Sequence, residues 1–287
     1  MKNRGPILYY GISDHSRGDI LQGRPNQLKL GIALGGGAAR GMAHIGVFKV
    51  MEREGIRFDL IAGNSAGSIV GALYAAGYSW REMYDFAGQI RPLDILRKRV
   101  RLSIHSGQVE EIVKRGLGDI TFSDLSLPFT VIAVDVRTGD LVRLNHGPVA
   151  KAVRASCSVP GVFTPTPWED MMLIDGGTLN SVPADIAREM GADRVIGVNL
   201  NHDRRSGTNS NNRMQILLAA INMMMSVNAE RGIRASDVMI SPDLSEYKYH
   251  RLDSLDDLVE RGEAAAEDAL PAIEKLLTRG EVCDIHM

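Results

Sequence analysis

Two short apolar strands, each running directly into a turn of small residues and then into a helix, constrain the fold of this chain more than any other feature. The first such unit spans residues 28–51 and the second spans residues 58–76. In both units the apolar residues before the turn are nearly contiguous, whereas those after it recur at helical spacing. Strands that alternate with helices are typical of a mostly parallel sheet covered on both faces, so we predict an α/β fold with three layers, α/β/α.

The rest of the chain extends this pattern. A hairpin is predicted over residues 129–144, a strand over 171–174 and a buried strand over 194–198. Residues 79–118 are more charged and have helical spacing, which is typical of an inserted cap. A final helix, predicted over residues 254–278, is acidic on one face and rich in Leu and Ala on the other. We expect this helix to cover the sheet.

The charge and cysteine content argue against several classes of protein. The 33 Lys and Arg residues nearly balance the 35 Asp and Glu residues, for a formal net charge of -2, so nucleic-acid binding is not expected. The 2 cysteines lack the spacing of a disulfide framework or a zinc site, which favours a reducing compartment. No apolar run approaches the roughly 18 residues that span a bilayer. We therefore expect a cytoplasmic protein without a bound metal.

The turn of the second unit has the pattern G-x-S-x-G and stands where a strand ends and a helix begins. Such a turn holds its serine in an exposed, strained position, with the hydroxyl at the N-terminus of the next helix. Small neighbours allow the turn to close, and here they are Gly63, Asn64, Ala66 and Gly67. The pattern predicts that Ser65 is a nucleophile.

The turn of the first unit carries a cluster of glycines. It does not match a phosphate-binding P-loop, because Met42 stands where the lysine is required, nor a dinucleotide fingerprint, because Arg40 stands where the third glycine is required. A bundle of unhindered N–H groups remains, which can stabilise the negative oxygen of a tetrahedral acyl intermediate. The candidate oxyanion-hole residues are Gly35, Gly36, Gly37, Ala38, Arg40 and Gly41. The alternative is that the glycines only allow close packing of strand and helix.

A third motif, formed by Asp175, Gly176 and Gly177, follows a predicted strand. Its carboxylate can therefore reach the same edge of the sheet as Ser65. Taken alone, this motif usually forms a simple turn. Only its combination with the glycine loop and the G-x-S-x-G turn indicates a catalytic role.

No histidine makes a convincing general base. His202 gives the chain order Ser, Asp, His of α/β-hydrolases, but it lies in a loop rich in Ser and Asn that we predict to be mobile. His44 lies one turn into the first helix, and we expect it to orient the glycine loop.

In this order and on these elements, G-x-G-x-x-R-G, G-x-S-x-G and D-G-G resemble the motifs of the patatin-like phospholipases. Three further stretches, 43–47, 133–139 and 155–163, fit the bacterial members, and the resemblance covers about residues 28–200. Known members use a Ser-Asp dyad without histidine. The resemblance implies a patatin-like fold, with Ser65 as nucleophile, Asp175 as base and the glycine loop as oxyanion hole.

The dyad sets a physical requirement of its own. A carboxylate with a pKa near 3.9 is a weak base for a serine hydroxyl at neutral pH, so its surroundings or its geometry must compensate. We predict that Asp175 is largely buried and within hydrogen-bond reach of Ser65.

The resemblance implies a serine hydrolase that cleaves lipid acyl esters, such as phospholipids or lysophospholipids, through an acyl-enzyme and without a cofactor. A lipid substrate implies peripheral contact with the inner surface of the membrane. Three alternatives stay open. They are a Ser-His-Asp esterase, a patatin-like acyltransferase or thioesterase, and a regulatory module with little turnover.

Three regions are expected along the chain: a flexible arm over residues 1–27, the catalytic domain over 28–201, and a helical region over 202–287 packed on the same domain. A Met-rich stripe runs along a predicted helix over residues 214–225. This stripe either packs on the core or forms a surface for lipid or for a second subunit of a homo-oligomer. Residues 79–104 are the other candidate for membrane contact.

Overall fold

A computed structural model describes residues 28–90, 99–100, 103–104, 106–202, 213–247 and 255–278. The predicted arm and nearly all of the predicted mobile loop lie outside these residues, as do four of the histidines: His15, His105, His250 and His286.

The strands of the described residues follow the predicted order, with short additions. They are β1 Leu30–Leu34, β2 Leu60–Gly63, β3 Arg99–Val100, β4 Ser103–Ile104, β5 Phe129–Asp135, β6 Leu141–Leu144, β7 Thr166–Trp168, β8 Met171–Asp175, β9 Arg194–Val198 and β10 Val238–Ile240. Of these, β3, β4, β7 and β10 were not predicted. Each has only two or three residues, too few to show an alternation of apolar and polar side chains.

The helices account for most of the remaining chain. They are α1 Ala43–Arg53, α2 Ala66–Ala75, α3 Trp80–Gly88, α4 Gly107–Leu117, α5 Val149–Ser156, α6 Ala184–Glu189, α7 Arg213–Ala235 and α8 Leu255–Thr278. Short 3-10 helices follow the glycine loop at Ala38–Met42 and form the Asp-Gly-Gly turn at Gly176–Thr178.

The central sheet is mixed but mostly parallel. Strands β10, β9, β1, β2 and β5 lie side by side in that order and are all parallel. Strand β6 pairs antiparallel with β5, as the predicted hairpin requires, and β8 and β7 continue the sheet with antiparallel pairs. With β1 and β2 near its middle, the sheet carries both glycine-containing turns at one central position.

Successive residues of β1 show that both faces of the sheet are covered. Ile32 and Leu34 are fully buried in a core shared with α1, α2, α5 and α8. Ala33, which points to the opposite face, is buried in a smaller core with residues of α6 and α7. Helices on both faces of a mostly parallel sheet confirm the predicted three-layer α/β/α arrangement.

Helix α8 packs directly on α1 through two glycines. A Cβ added to Gly46 would lie 1.9 Å from the carbonyl oxygen of Val259, and one added to Gly262 would lie 1.9 Å from that of Ala43. The two backbones are therefore in contact, and α8 covers the helix that follows the glycine loop.

Candidate active site

Ser65 lies in the sharp turn between β2 and α2. Its backbone has φ 49° and ψ -123°, a strained conformation for a residue with a side chain. A hydrogen bond of 2.8 Å from the Gly67 N–H to the Asn64 carbonyl closes the turn. A Cβ at Gly67 would lie 2.3 Å from the carbonyl oxygen of Leu34, so only glycine lets this turn pack against the end of β1. The turn thus has the geometry expected of a nucleophile elbow.

The carboxyl ends of β2 and β8 meet beside β5. Because β6 occupies one edge of β5 over residues 131–134, β2 and β8 share the other edge. Strand β2 is parallel to β5 and ends with Gly63 opposite Val131, whereas β8 is antiparallel and ends with Asp175 opposite Ala133. The Ser65 turn and Asp175 are thereby brought together. The sequence pattern did not predict that β8 would run against its neighbours to achieve this.

Asp175 is buried, as predicted, with 2% of its surface exposed. Its Oδ1 accepts a hydrogen bond of 2.8 Å from the Gly177 N–H. Burial raises the pKa of Asp175 from an ordinary 3.8 to about 6, against smaller lowering effects of the side chains of Ser65 and Asn64 and of the Gly177 N–H. At neutral pH the carboxyl is therefore ionised, yet it is a much stronger base than an exposed aspartate.

Ser65 and Asp175 lie within reach of each other, as predicted, but no well-formed hydrogen bond joins them. The Ser65 hydroxyl is close enough to lower the pKa of Asp175, but within the described residues the buried Oδ2 of Asp175 has no hydrogen-bond partner. Catalytic hydrogen bonds are often long or poorly aligned without substrate and tighten when it binds. The unpartnered Oδ2 is accordingly the acceptor position open to the serine hydroxyl.

The N–H groups of the glycine loop fall into two sets. Those of Gly35 and Gly36 donate to backbone carbonyls of the fold, at 3.0 and 3.2 Å. Those of Gly37 and Ala38 donate to no other backbone group in the described part of the chain. Of the candidate oxyanion-hole residues, Gly35 and Gly36 therefore have no free N–H group, and neither does Arg40, whose N–H donates to the Gly37 carbonyl oxygen at 3.1 Å. Gly37 and Ala38 remain as candidate donors to an oxyanion.

Asn201 fixes one of these donors, a role that the sequence did not indicate. It is buried, and its Nδ2 donates a hydrogen bond of 2.7 Å to the Gly36 carbonyl oxygen. Because the C=O and N–H of a trans peptide point in opposite directions, this bond also fixes the direction of the Gly37 N–H. Asn201 is thus a positioning residue for the loop.

Two other predicted loop residues have structural contacts. A Cβ at Gly41 would lie 2.5 Å from the Cβ of Ala66, so this glycine lets the loop pack against the start of α2. Arg40 is buried, and its Nε donates a hydrogen bond of 2.9 Å to the carbonyl oxygen of Tyr247. Its guanidinium therefore ties the loop to the segment that precedes α8.

Comparison with known proteins agrees with this geometry. The model of the patatin-like phospholipase family matches residues 32–188, which is more than half of the chain and includes both Ser65 and Asp175. The chain belongs to this family. An uncharacterised NTE family protein of Mycobacterium tuberculosis (strain CDC 1551 / Oshkosh) is 29% identical over 271 residues, which cover 85% of this chain and 46% of that protein.

Two further comparisons define how far the likeness extends. Patatin-like phospholipase domain-containing protein 6 of Mus musculus is 34% identical over 181 residues, covering 60% of this chain and 13% of that protein. The chain thus spans about half the length of the mycobacterial relative and much less of the mouse one. The fold resembles the crystal structure of VipD from Legionella pneumophila, with a TM-score of 0.60 at 13% identity over 86% of this chain and 67% of that one.

A short segment that begins with Ser156, the last residue of α5, connects the two halves of the patatin-like site. The Oγ of Ser156 accepts a hydrogen bond of 2.7 Å from the Ser65 N–H, and the carbonyl oxygen of Ser158 accepts one of 3.0 Å from the Asp175 N–H. Sequence reasoning found this stretch only through its resemblance to the family and gave it no role. The sequence of this stretch contains no pattern that indicates contact of Ser156 with the nucleophile elbow or of Ser158 with β8.

Cys157, between these serines, is buried against the same groups. Burial, and secondarily the charge of Asp175, raise the pKa of its thiol well above the ordinary value, against smaller lowering contacts with Ser68 and Ser65. The thiol therefore stays protonated at neutral pH and does not compete with Ser65 as a nucleophile.

None of the three histidines in the described residues has the properties of a base for Ser65. His44 is fully buried, and its Nε2 donates a hydrogen bond of 2.9 Å to the Gly35 carbonyl oxygen. Burial lowers the pKa of His44 to about 4, so it is neutral and orients the glycine loop, as expected. His146 and His202 are exposed, whereas Ser65 and Asp175 are buried.

No helix of the described residues is long and apolar enough to cross a membrane.

Proposed function

We propose that this protein is a serine hydrolase of lipid acyl esters in which Ser65 is the nucleophile and Asp175 is the general base. The observation that carries the proposal is the meeting of β2 and β8, which places a strained serine beside a buried carboxyl whose pKa is raised to about 6. Family membership supports a lipid ester as the substrate class. The resemblance extends this class to phospholipids and lysophospholipids.

The reaction proceeds in two balanced halves. The Ser65 oxygen attacks the ester carbonyl carbon while Asp175 Oδ2 takes the hydroxyl proton, and the resulting oxyanion accepts hydrogen bonds from the N–H groups of Gly37 and Ala38. When the bond to the leaving alcohol breaks, Asp175 returns the proton to that alcohol. Water then attacks the acyl-enzyme, Asp175 takes its proton, and the ester bond to Ser65 breaks with return of the proton to Ser65.

The decisive experiment combines turnover with active-site labelling. Purified protein is incubated with a chromogenic medium-chain ester and with a fluorophosphonate, which reacts only with an activated serine. We expect Ser65→Ala to lose turnover and labelling, and Asp175→Asn to lose turnover. Asp135→Asn is the matched control, because Asp135 is also a buried carboxylate at a strand end and is held by the N–H groups of Arg137 and Met172. This control should keep its activity.

Two results would reject the proposal. A wild-type protein that is neither labelled nor active, with or without lipid vesicles, would favour the regulatory module. Activity that survives in folded Asp175→Asn would exclude Asp175 as the base.

The outer face of α7 is the part of the described surface that we assign to the membrane. Here the Met-rich stripe divides: Met223, Met224 and Val227 are 46%, 54% and 60% exposed, whereas Met225 is only 7% exposed. Of the two interpretations left open for the stripe, core packing therefore holds for Met225 and a surface position holds for Met224. Exposed apolar residues clustered on one helix are typical of a surface that contacts lipid.

Replacement of Met223, Met224 and Val227 by Ser should weaken sedimentation with anionic phospholipid vesicles while the hydrolysis of a water-soluble ester stays unchanged. Val136→Ser is the control, because Val136 is 54% exposed but directly follows β5 and is not part of α7. Vesicle binding that is unchanged in the triple variant would reject this surface.

A further inference from the structure

Met225 reaches from α7 into the space between the two loops of the site. A Cβ added to Gly177 would lie 2.3 Å from the Met225 Cε, and one added to Gly36 would lie 3.3 Å from it. The same point on Gly36 would be 3.2 Å from the Cβ of Ser65. The thioether methyl therefore occupies the gap bounded by the glycine loop, the Asp-Gly-Gly turn and the nucleophile.

Other contacts hold α7 across this side of the site. The Asn228 Nδ2 donates a hydrogen bond of 2.7 Å to the carbonyl oxygen of Thr178, just after the Asp-Gly-Gly turn. One turn further on, Gly232 is packed so closely that a Cβ there would lie 2.0 Å from the Val182 carbonyl oxygen. At the other end of the helix, a Cβ at Gly161 would lie 2.6 Å from the Leu217 Cδ2.

This arrangement leaves little free space beside Ser65, which is itself only 5% exposed. An ester carbonyl attacked by Ser65 must bring its acyl chain past the glycine loop, where the Met225 methyl now lies. Methionine suits such a position, because its unbranched and flexible side chain can move aside while the helix backbone stays in place.

Resting on the proposed hydrolase function, we infer that Met225 is the residue that determines access and acyl-chain selectivity at Ser65. Its side chain occupies the acyl-binding space until a substrate chain displaces it. Residues at this position thus set which acyl groups reach the nucleophile.

The test compares the rate at which Ser65 is labelled by two fluorophosphonates, one with a long alkyl chain and one with a short alkyl chain. Met225→Ala should raise the rate for the long-chain probe about tenfold or more, because no buried side chain has to be displaced. The rate for the short-chain probe should rise less. Met225→Phe should lower both rates, and Ile233→Ala, a control at a 43% exposed residue of the same helix, should match wild type.

A second, more conservative substitution keeps the role of Met225 testable if Met225→Ala does not fold. Met225→Leu keeps most of the apolar volume but lacks the ε-methyl group, so it should be tolerated and should fall between wild type and Met225→Ala. Circular dichroism and thermal unfolding establish that each variant is folded.

The outcomes separate the two proposals. Labelling of wild type that is the same in Met225→Ala, Met225→Leu and Ile233→Ala would overturn the role of Met225 and leave the hydrolase function intact. If no variant is labelled by either probe, the hydrolase proposal fails as well. Wild type that is labelled, with faster labelling by the long-chain probe after Met225 is shortened, supports both.

Discussion

Replacing Asp175 with Asn should stabilise the folded protein at neutral pH while it abolishes turnover. The folded state holds this carboxyl at a pKa of about 6, compared with an ordinary 3.8. Each pH unit between the two values corresponds to about 1.4 kcal/mol, so ionised Asp175 costs the folded state about 3 kcal/mol. Because the pKa of Asp175 is higher in the folded than in the unfolded state, the contribution of Asp175 to the stability of the wild type is greatest below pH 3.8. This contribution is lost as the pH rises toward 6.

Asn removes the charge and retains an oxygen that can accept the hydrogen bond from the Gly177 N–H. Its amide nitrogen would be buried where Oδ2 now has no partner, which offsets part of the gain by about 1 kcal/mol. We therefore expect Asp175→Asn to be about 2 kcal/mol more stable than wild type at pH 8 and no more stable at pH 4.

The assay is urea unfolding of both proteins at several pH values between 4 and 8. The difference between their free energies of unfolding isolates Asp175, since all other groups titrate alike in the two proteins. A difference that does not change across this range would refute the reasoning, because it would mean that the carboxyl is not held at a raised pKa.

Three further predictions concern activity. The kcat/KM for a soluble ester should rise with pH through about 6, the pKa of the base, and fall about tenfold for each pH unit below it; a profile that is flat between pH 5 and 7 would contradict this. Asn201→Leu should lower kcat roughly tenfold with little change in KM, since it disorders one oxyanion donor, and an effect on KM alone would exclude that role. Ser156→Ala leaves the Ser65 N–H buried without a partner, so it should lower the free energy of unfolding by about 1–3 kcal/mol and reduce turnover. Ser158→Ala is the control, because it keeps the backbone carbonyl that binds the Asp175 N–H. Equal turnover in the two variants would argue against a role of the Ser156 hydroxyl in holding the Ser65 turn.

The parts of the site that sequence could predict are those encoded by local geometry. The turn at Ser65 requires small residues at fixed positions between a strand and a helix, and the glycine loop likewise needs glycines where backbones approach closely. Both requirements depend on neighbours in the chain, so the pattern shows them. The same holds for the buried strands β1, β2, β5 and β9, whose apolar runs are long enough to recognise.

The parts that could not be predicted depend on contacts between distant segments. Asn201 and Met225 reach the glycine loop from 165 and 189 positions away, respectively, and nothing adjacent to either of them indicates a site. The direction of β8 was also missed, because antiparallel and parallel strands of the same apolar composition look alike in sequence. Its register with β5 is a tertiary property.

The meeting of β2 and β8 at their tips makes β5 the template that sets the distance between nucleophile and base. Neither of the two strands extends past the other, so loops between them that do not contact the site can change in length without moving Ser65 or Asp175. A single residue inserted within β5 between Val131 and Ala133 would instead shift Asp175 along the strand by about 3.3 Å and turn it to the opposite face of the sheet. Insertions in such loops should therefore be well tolerated, whereas the length of one seven-residue strand is fixed by the chemistry.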